Sequence, residues 1–388
     1  MIPIRNRSSH PVPAAPPLWI PPWALVAAQL AHGVSWLLLA ALADWDLLGF
    51  SLPGLAWVHL VALGWLTLAS LAVLIHVIPG FLDVTWRGER LARALLLPYG
   101  LGVIGMVVAF WFGNTAWLSG AATVVVLALA GYLGCAFLTL LSGAGLRSVV
   151  RRGFVLVLAM LTLTAAAGLG MAYALDGHAA AWWLIGVPAL HAHLGALGWL
   201  SLLVVGVSAR TVRPITGGGS TTPKLHVAGS SLLTAGLLVL ATALLLDSAP
   251  LLILGGVLGT AGVLAYTTDL VGILRRATVP HRPPQAFLAA GALYFVAAAG
   301  LGLGVVTGVR PEWQAAYAFV ALMGWLGQMV NGHFHHIGVR VLATWVLGDD
   351  DATPPAQLLT PYLSWTTFWL FQTAVAGTTA GLLLSQAG

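Results

Sequence analysis

Twelve histidines stand against eleven carboxylates in 388 residues. Neutral imidazole is a common ligand for haem and copper. An ionisable side chain inside a bilayer is costly and marks a functional position by default. The histidines that interrupt apolar runs are therefore the residues whose type could do chemistry. His59, His191 and His193 lie near one end of their apolar runs. His191 and His193 project about 200° apart on a helix, so one helix can address two neighbouring pockets. His76, His226, His333, His335 and His336 lie at the opposite end, and His76 is about 25 Å along its helix from His59. His333 and His336 share a helical face, and His335 points away. The first group reads as haem ligands, with interhelical hydrogen bonding as the alternative. The second reads as a copper or second haem site, with simple interfacial placement as the alternative. His32, mid-run, weighs toward a hydrogen-bonding role. His10, His178 and His281 fall in loops.

The elements that position these groups follow from composition. The chain is 59% hydrophobic and 7% charged, whereas a soluble domain carries roughly 25% charged residues. That shortfall predicts lipid as the solvent. Apolar runs long enough to span a bilayer fall near 22–44, 52–78, 92–113, 117–142, 153–175, 181–208, 226–246, 249–274, 285–308, 314–342 and 357–384. The expected fold is an all-α polytopic membrane protein with eleven or twelve transmembrane helices. A Pro-rich segment over 1–21 precedes a single transmembrane domain over 22–386. Of sixteen Lys and Arg residues, fifteen fall in connections on one face and only Arg310 on the other. This bias predicts a cytoplasmic N-terminus. The basic residues form no stripe, which argues against a nucleic-acid partner. The single Cys135 excludes intrachain disulfides and thiolate clusters. No cleavable signal is read near the N-terminus. The Gly217–Gly219 run is a loop, since no phosphate-cradle pattern surrounds it.

Self-comparison reveals a repeat. His59–Leu68 and His193–Leu202 are identical at eight of ten positions, offset by 134 residues. Gly324-Trp325-Leu326 echoes the same core, offset by 260 from Gly64. The copies fall in spans two, six and ten. A four-helix period in three copies predicts a ring of three pseudo-symmetric arcs, near 22–142, 153–274 and 285–386. By the repeat, His59 and His193 are equivalent, and two such imidazoles facing each other would ligate one haem axially.

On these residues the chain resembles the catalytic subunit of the haem-copper oxidases and the related NnrS family of haem- and copper-containing membrane proteins. Gly332-His333-Phe334-His335-His336 is similar to the family's helix-ten His-Phe-His ligand motif. His191-Ala192-His193-Leu194 followed by Gly198-Trp199 is similar to small relatives of oxidase subunit I. The resemblance implies a twelve-helix pseudo-threefold core with ligand histidines on helices two, six, seven and ten. Here those helices carry His59, His191 with His193, His226, and His333 with His335. The sequence departs from the pattern in three ways. His333 and His335 lie toward the inner end of their helix, span seven has one histidine rather than an adjacent pair, and no tyrosine follows a histidine in span six. Asp269 is the one carboxylate placed within a span, since Glu89 and Glu312 fall in loops. Proton pathways need buried acids or histidine chains, so a proton pump is not expected.

The leading expectation is a b-type haem protein of the bacterial inner membrane, in electron transfer or in binding nitric oxide or oxygen. Haem b is the expected cofactor, with copper as a further expectation. The bilayer is the expected partner, together with an electron donor or gas ligand. Alternatives are a haem or copper carrier, a small-solute transporter, and a minimal non-pumping oxidase or nitric oxide reductase.

Overall fold

The structure is a computed structural model describing residues 21–42, 51–142, 148–218, 221–280, 282–347 and 355–385. The segment 1–20, with His10, and His281 lie outside the described residues. All regular structure among the described residues is helical. Among the described residues, ten helices are long and apolar enough to cross a membrane. They are α1 (Pro22–Ala41), α2 (Leu52–Leu82), α3 (Glu89–Phe112), α4 (Thr115–Leu141), α5 (Val149–Leu175), α6 (Val187–Thr216), α7 (Pro223–Leu246), α8 (Ala249–Arg275), α9 (Pro283–Val306) and α11 (Pro361–Ser385). Between the last two runs α10, helical throughout 314–347. Its second half carries Gln328, Asn331 and three histidines, which lowers its hydropathy. Such residues are tolerated because α10 sits at the centre of the molecule, where Gln328 and Asn331 are buried.

The boundaries follow local chemistry. Ser51 caps α2 by accepting from the Gly54 amide, and Asn114 caps α4 by accepting from the Trp117 amide at 2.9 Å. The apolar run at 181–208 does not become one helix. Ala181–Leu184 forms a separate 3-10 turn, and α6 begins at Val187 with Pro188 in its first turn. α6 then continues to Thr216, past Arg210 and Arg213.

α2, α6 and α10 form the central ring, and each changes to a π-helix over equivalent residues: Leu60–Thr67, Leu194–Ser201 and Val320–Gly327. π-stretches of this kind are rare and recur at functional sites. The motif glycine of each stretch meets the first helix of its own arc. A Cβ built on Gly64 would lie 3.3 Å from Ala31 of α1, on Gly198 3.0 Å from Met160 of α5, and on Gly324 2.8 Å from Tyr294 of α9. The adjoining tryptophan reaches the preceding arc. Trp199 Nε1 donates to Thr67 Oγ1 at 3.0 Å, and Trp325 Nε1 donates to Ser201 Oγ at 2.9 Å. The third position closes differently. Gly327 stands where Thr67 and Ser201 stand in the other copies, the Trp65 ring fills the space, and Trp65 Nε1 is buried without a hydrogen-bond partner among the described residues. Trp65 instead stacks on His32 of α1 at 3.7 Å, as Trp325 stacks on Phe295 of α9 at 3.9 Å. Three copies with the same π-stretch, glycine contact and tryptophan reach make the ring pseudo-threefold.

Candidate functional site

The ring fixes what lies toward the end carrying His59. The residues five and seven before the motif glycine are His59 and Trp57 on α2, His193 and His191 on α6, and Phe319 and Tyr317 on α10. Each residue at the first position meets the residue at the second position on the next helix. His59 faces His191 with ring centroids 6.2 Å apart and planes inclined by 25°. His193 faces Tyr317 at 6.1 Å, and Phe319 stacks on Trp57 at 5.7 Å. The single α6 helix thus turns His191 toward α2 and His193 toward α10.

This arrangement corrects the expected pairing of His59 with His193. Those two are equivalent by the repeat, and in a cyclic assembly equivalent residues do not face each other. Each interface is heterologous, joining one patch to a different patch on the neighbour. The imidazole opposite His59 is therefore His191.

The second ring nitrogens are set by the backbone. His59 Nδ1 lies 2.8 Å from the Leu55 carbonyl oxygen and His191 Nδ1 lies 3.0 Å from that of Thr164. A carbonyl only accepts, so Nδ1 carries the proton in both rings and Nε2 carries the lone pair. That is the tautomer a metal-ligating histidine adopts when its other nitrogen is fixed by a hydrogen bond. His193 and His333 repeat the device, through Ala189 at 2.7 Å and Met329 at 2.7 Å, and His335 does so through Asn331 at 2.8 Å. Space for the His191 ring depends on Gly168 of α5, where a Cβ would lie 2.9 Å from His191 Cε1. Phe110 of α3 stacks on His59 at 4.8 Å.

At the other end the histidines take different partners. His333 Nε2 lies 2.8 Å from Thr211 Oγ1 of α6. His335 stacks on Phe287 of α9 at 5.2 Å. His226 Nδ1 lies 3.6 Å from Asp269 of α8, whose other oxygen accepts the Thr222 amide at 2.6 Å. His76 Nδ1 is buried without a partner among the described residues. No three His, Cys, Asp or Glu side chains among the described residues come together as a metal site, so the expected convergence of His76, His226, His333, His335 and His336 is not seen there. His32 Nε2 accepts from Trp36 Nε1 at 3.0 Å and its ring fills a stacking position, which is a packing role.

Neither a protein-family model nor a curated protein matches this sequence.

Tyr317, Phe110, Gly168 and the Thr164 carbonyl escape the sequence reading. The first had a signal: extending the weak third copy seven residues before Gly324 aligns Tyr317 with His191 and Trp57. The other three are brought in by α3 and α5, whose register against the ring no repeat prints.

Proposed function

We propose that the chain is a b-type haem protein of a bacterial cytoplasmic membrane, with His59 and His191 the axial pair, serving electron transfer or the binding of a diatomic gas. The observation that carries this reading is the facing imidazole pair with both Nδ1 atoms tied to backbone carbonyls. Two imidazoles sharing one metal hold their ring centres roughly 6 Å apart, because each metal–nitrogen bond is about 2 Å. The Phe319–Trp57 pair has nearly the same spacing without a ligand atom, so the scaffold sets the distance and the residue types supply the chemistry. A bound haem would provide a one-electron couple. The chain's own groups orient the imidazoles and keep the surroundings apolar. The buried acid Asp269 is engaged with Thr222 and His226 at the far end, which fits a role without proton pumping. The resemblance of the His-bearing motifs to the haem-copper oxidases supports the same reading.

The test is an absorption spectrum, oxidised and reduced, of the purified full chain. Wild type is expected to show a Soret band and a pyridine haemochrome of b type. His59→Ala and His191→Ala are each expected to lose the low-spin bands, and His193→Ala to keep them. A preparation without haem sinks the proposal. Copper at one equivalent per chain in that haem-free protein favours the copper-carrier reading.

A further inference from the structure

The three seams of the ring differ in what crosses them. At α2–α6, Trp199 donates to Thr67 at 3.0 Å and Arg210 Nη1 donates to the Phe81 carbonyl at 2.9 Å. At α6–α10, Trp325 donates to Ser201 at 2.9 Å, and His333 Nε2 lies 2.8 Å from Thr211 Oγ1. At α10–α2, no hydrogen bond or ion pair joins the two helices among the described residues. Three buried N–H groups stand there unpartnered instead. Trp57 and Trp65 of α2 face Phe319 and Gly327 of α10, and both indole Nε1 atoms lack a partner among the described residues. Asn331 of α10, one turn past Gly327 on the same face, has an unpartnered Nδ2 among the described residues. These three residues are 1%, 0% and 3% exposed.

Chain connectivity singles out the same seam. The chain passes from the first arc to the second between α4 and α5, and from the second to the third between α8 and α9. It does not return from the third arc to the first. Over this seam α1 and α11 meet through rings, with His32 and Trp36 against Phe371 at 5.4 and 5.8 Å. We propose that the ring opens to the bilayer at the α10–α2 seam, with α1 and α2 parting from α10 and α11, so that this seam is a lateral gate. Lipid tails are as apolar as the side chains they replace, whereas a hydrogen bond between helices has no substitute in hydrocarbon. The two bonded seams therefore stay shut while the third exchanges its contacts. The orphaned N–H groups push the same way, because closure leaves them unsatisfied. Gln328 and Gln372 tie α11 to α10, and the His32–Trp65 stack ties α1 to α2, so each pair moves as one body. The gate concerns the closure of the ring and stands or falls apart from the haem reading.

The experiment measures spin-label distances by double electron–electron resonance in nanodiscs, on the full chain carrying Cys135→Ala. Labels are placed pairwise at Gly80→Cys of α2, Gly206→Cys of α6 and Trp345→Cys of α10. A Cβ at Gly80 or Gly206 meets nothing within 4 Å, and Trp345 is 68% exposed. The α2–α10 pair is expected to show a second, longer distance, and the α2–α6 and α6–α10 pairs a single one. Gly327→Ser gives Trp65 the hydroxyl that Thr67 and Ser201 give in the other seams. It is expected to cut the longer population about tenfold, the worth of one hydrogen bond. Gly327→Ala adds the Cβ, 3.0 Å from Trp65 Cη2, without the hydroxyl, and is expected to leave that population uncut. A single distance in all three pairs overturns the proposal, as does a longer population shared equally by all three or confined to another seam. An equal fall in Gly327→Ser and Gly327→Ala overturns the missing hydrogen bond as the cause of opening. Should Gly327→Ser fail to fold, the wild-type distances decide by themselves.

Discussion

At the α2–α6 interface the positions five and seven residues before the motif glycine are filled by His59 and His191. At the α10–α2 interface the same positions hold Phe319 and Trp57. The first pair has ring centroids 6.2 Å apart and the second 5.7 Å. Both sit against the same π-stretches and face the same end of the ring. The Phe319–Trp57 pair demonstrates that the ring closes without any imidazole at this depth. Histidine at the other interface is therefore not required for packing, and burying two imidazoles there carries a desolvation cost that packing alone does not demand. The comparison isolates chemistry from scaffold within one molecule.

Exchanging the two fillings gives the largest expected effect. The double variant His59→Phe with His191→Trp copies the α10–α2 pair into the α2–α6 interface. It is expected to fold, with a thermal midpoint in detergent at or above wild type, and to lose the low-spin haem bands entirely. Retention of those bands would falsify the assignment of the pair as axial ligands. An unfolded double variant would show instead that the two interfaces are not interchangeable.

The converse cut, Trp57→Ala, removes the largest side chain of the apolar pair, which is 1% exposed. It is expected to lower stability by about 3–5 kcal/mol through the cavity left beside Phe319. The haem bands of the folded fraction should be unchanged, because His59 and His191 face the other interface. A denaturant titration of the folded fraction followed by near-UV dichroism reads the first effect and the visible spectrum reads the second. A loss of stability below ~1 kcal/mol would mean that the α10–α2 interface is not held by this pair.

The tryptophan reach gives a smaller effect with the same asymmetry. Thr67→Val and Ser201→Ala each orphan a buried indole N–H, of Trp199 and Trp325 respectively. Each is expected to cost about 1–2 kcal/mol. The third reach lacks an acceptor already, since Gly327 has no hydroxyl to offer Trp65. Removing the donor there, in Trp65→Phe, is expected to cost only the lost packing and to spare the orphan penalty. Equal losses in the isosteric Thr67→Val and in Thr67→Ser, which keeps the hydroxyl, would exclude the hydrogen bond as the cause.

Much of this fold is legible in the residues. Apolar runs mark the helices because a span must be about 20 residues of hydrocarbon. The ten-residue match between His59 and His193 reveals the repeat. What the sequence conceals is the facing of the pairs and the π-geometry. A π-stretch inserts a residue into the turn without changing the composition of the run, so hydropathy passes over it. The facing depends on the hand of the ring, which identical motifs on α2 and α6 cannot encode. The inner histidines illustrate a further limit. His333, His335 and His336 are close in the chain, yet the first is turned to α6 and the second to α9. Sequence proximity shows which residues could meet and leaves their partners to tertiary packing.

The smallest expected effect lies behind the α10–α2 interface. Gln328 of α10 follows Gly327, and its amide exchanges two hydrogen bonds with Gln372 of α11, at 3.0 Å and 2.9 Å. Phe371, next to Gln372, packs edge-on against Trp65. The paired amides thus clamp α11 behind Trp65, whose indole N–H lacks an acceptor among the described residues. Gln372→Leu alone leaves the buried Gln328 amide with both bonds broken and is expected to cost about 1–2 kcal/mol. Gln328→Leu with Gln372→Leu removes both polar groups together and is expected to be within about 0.5 kcal/mol of wild type, because satisfied amides exchanged for hydrocarbon of similar shape leave no orphan. A double variant as unstable as the single would assign these amides a partner beyond each other, and the unpartnered Trp65 N–H nearby would be the first place to look for it.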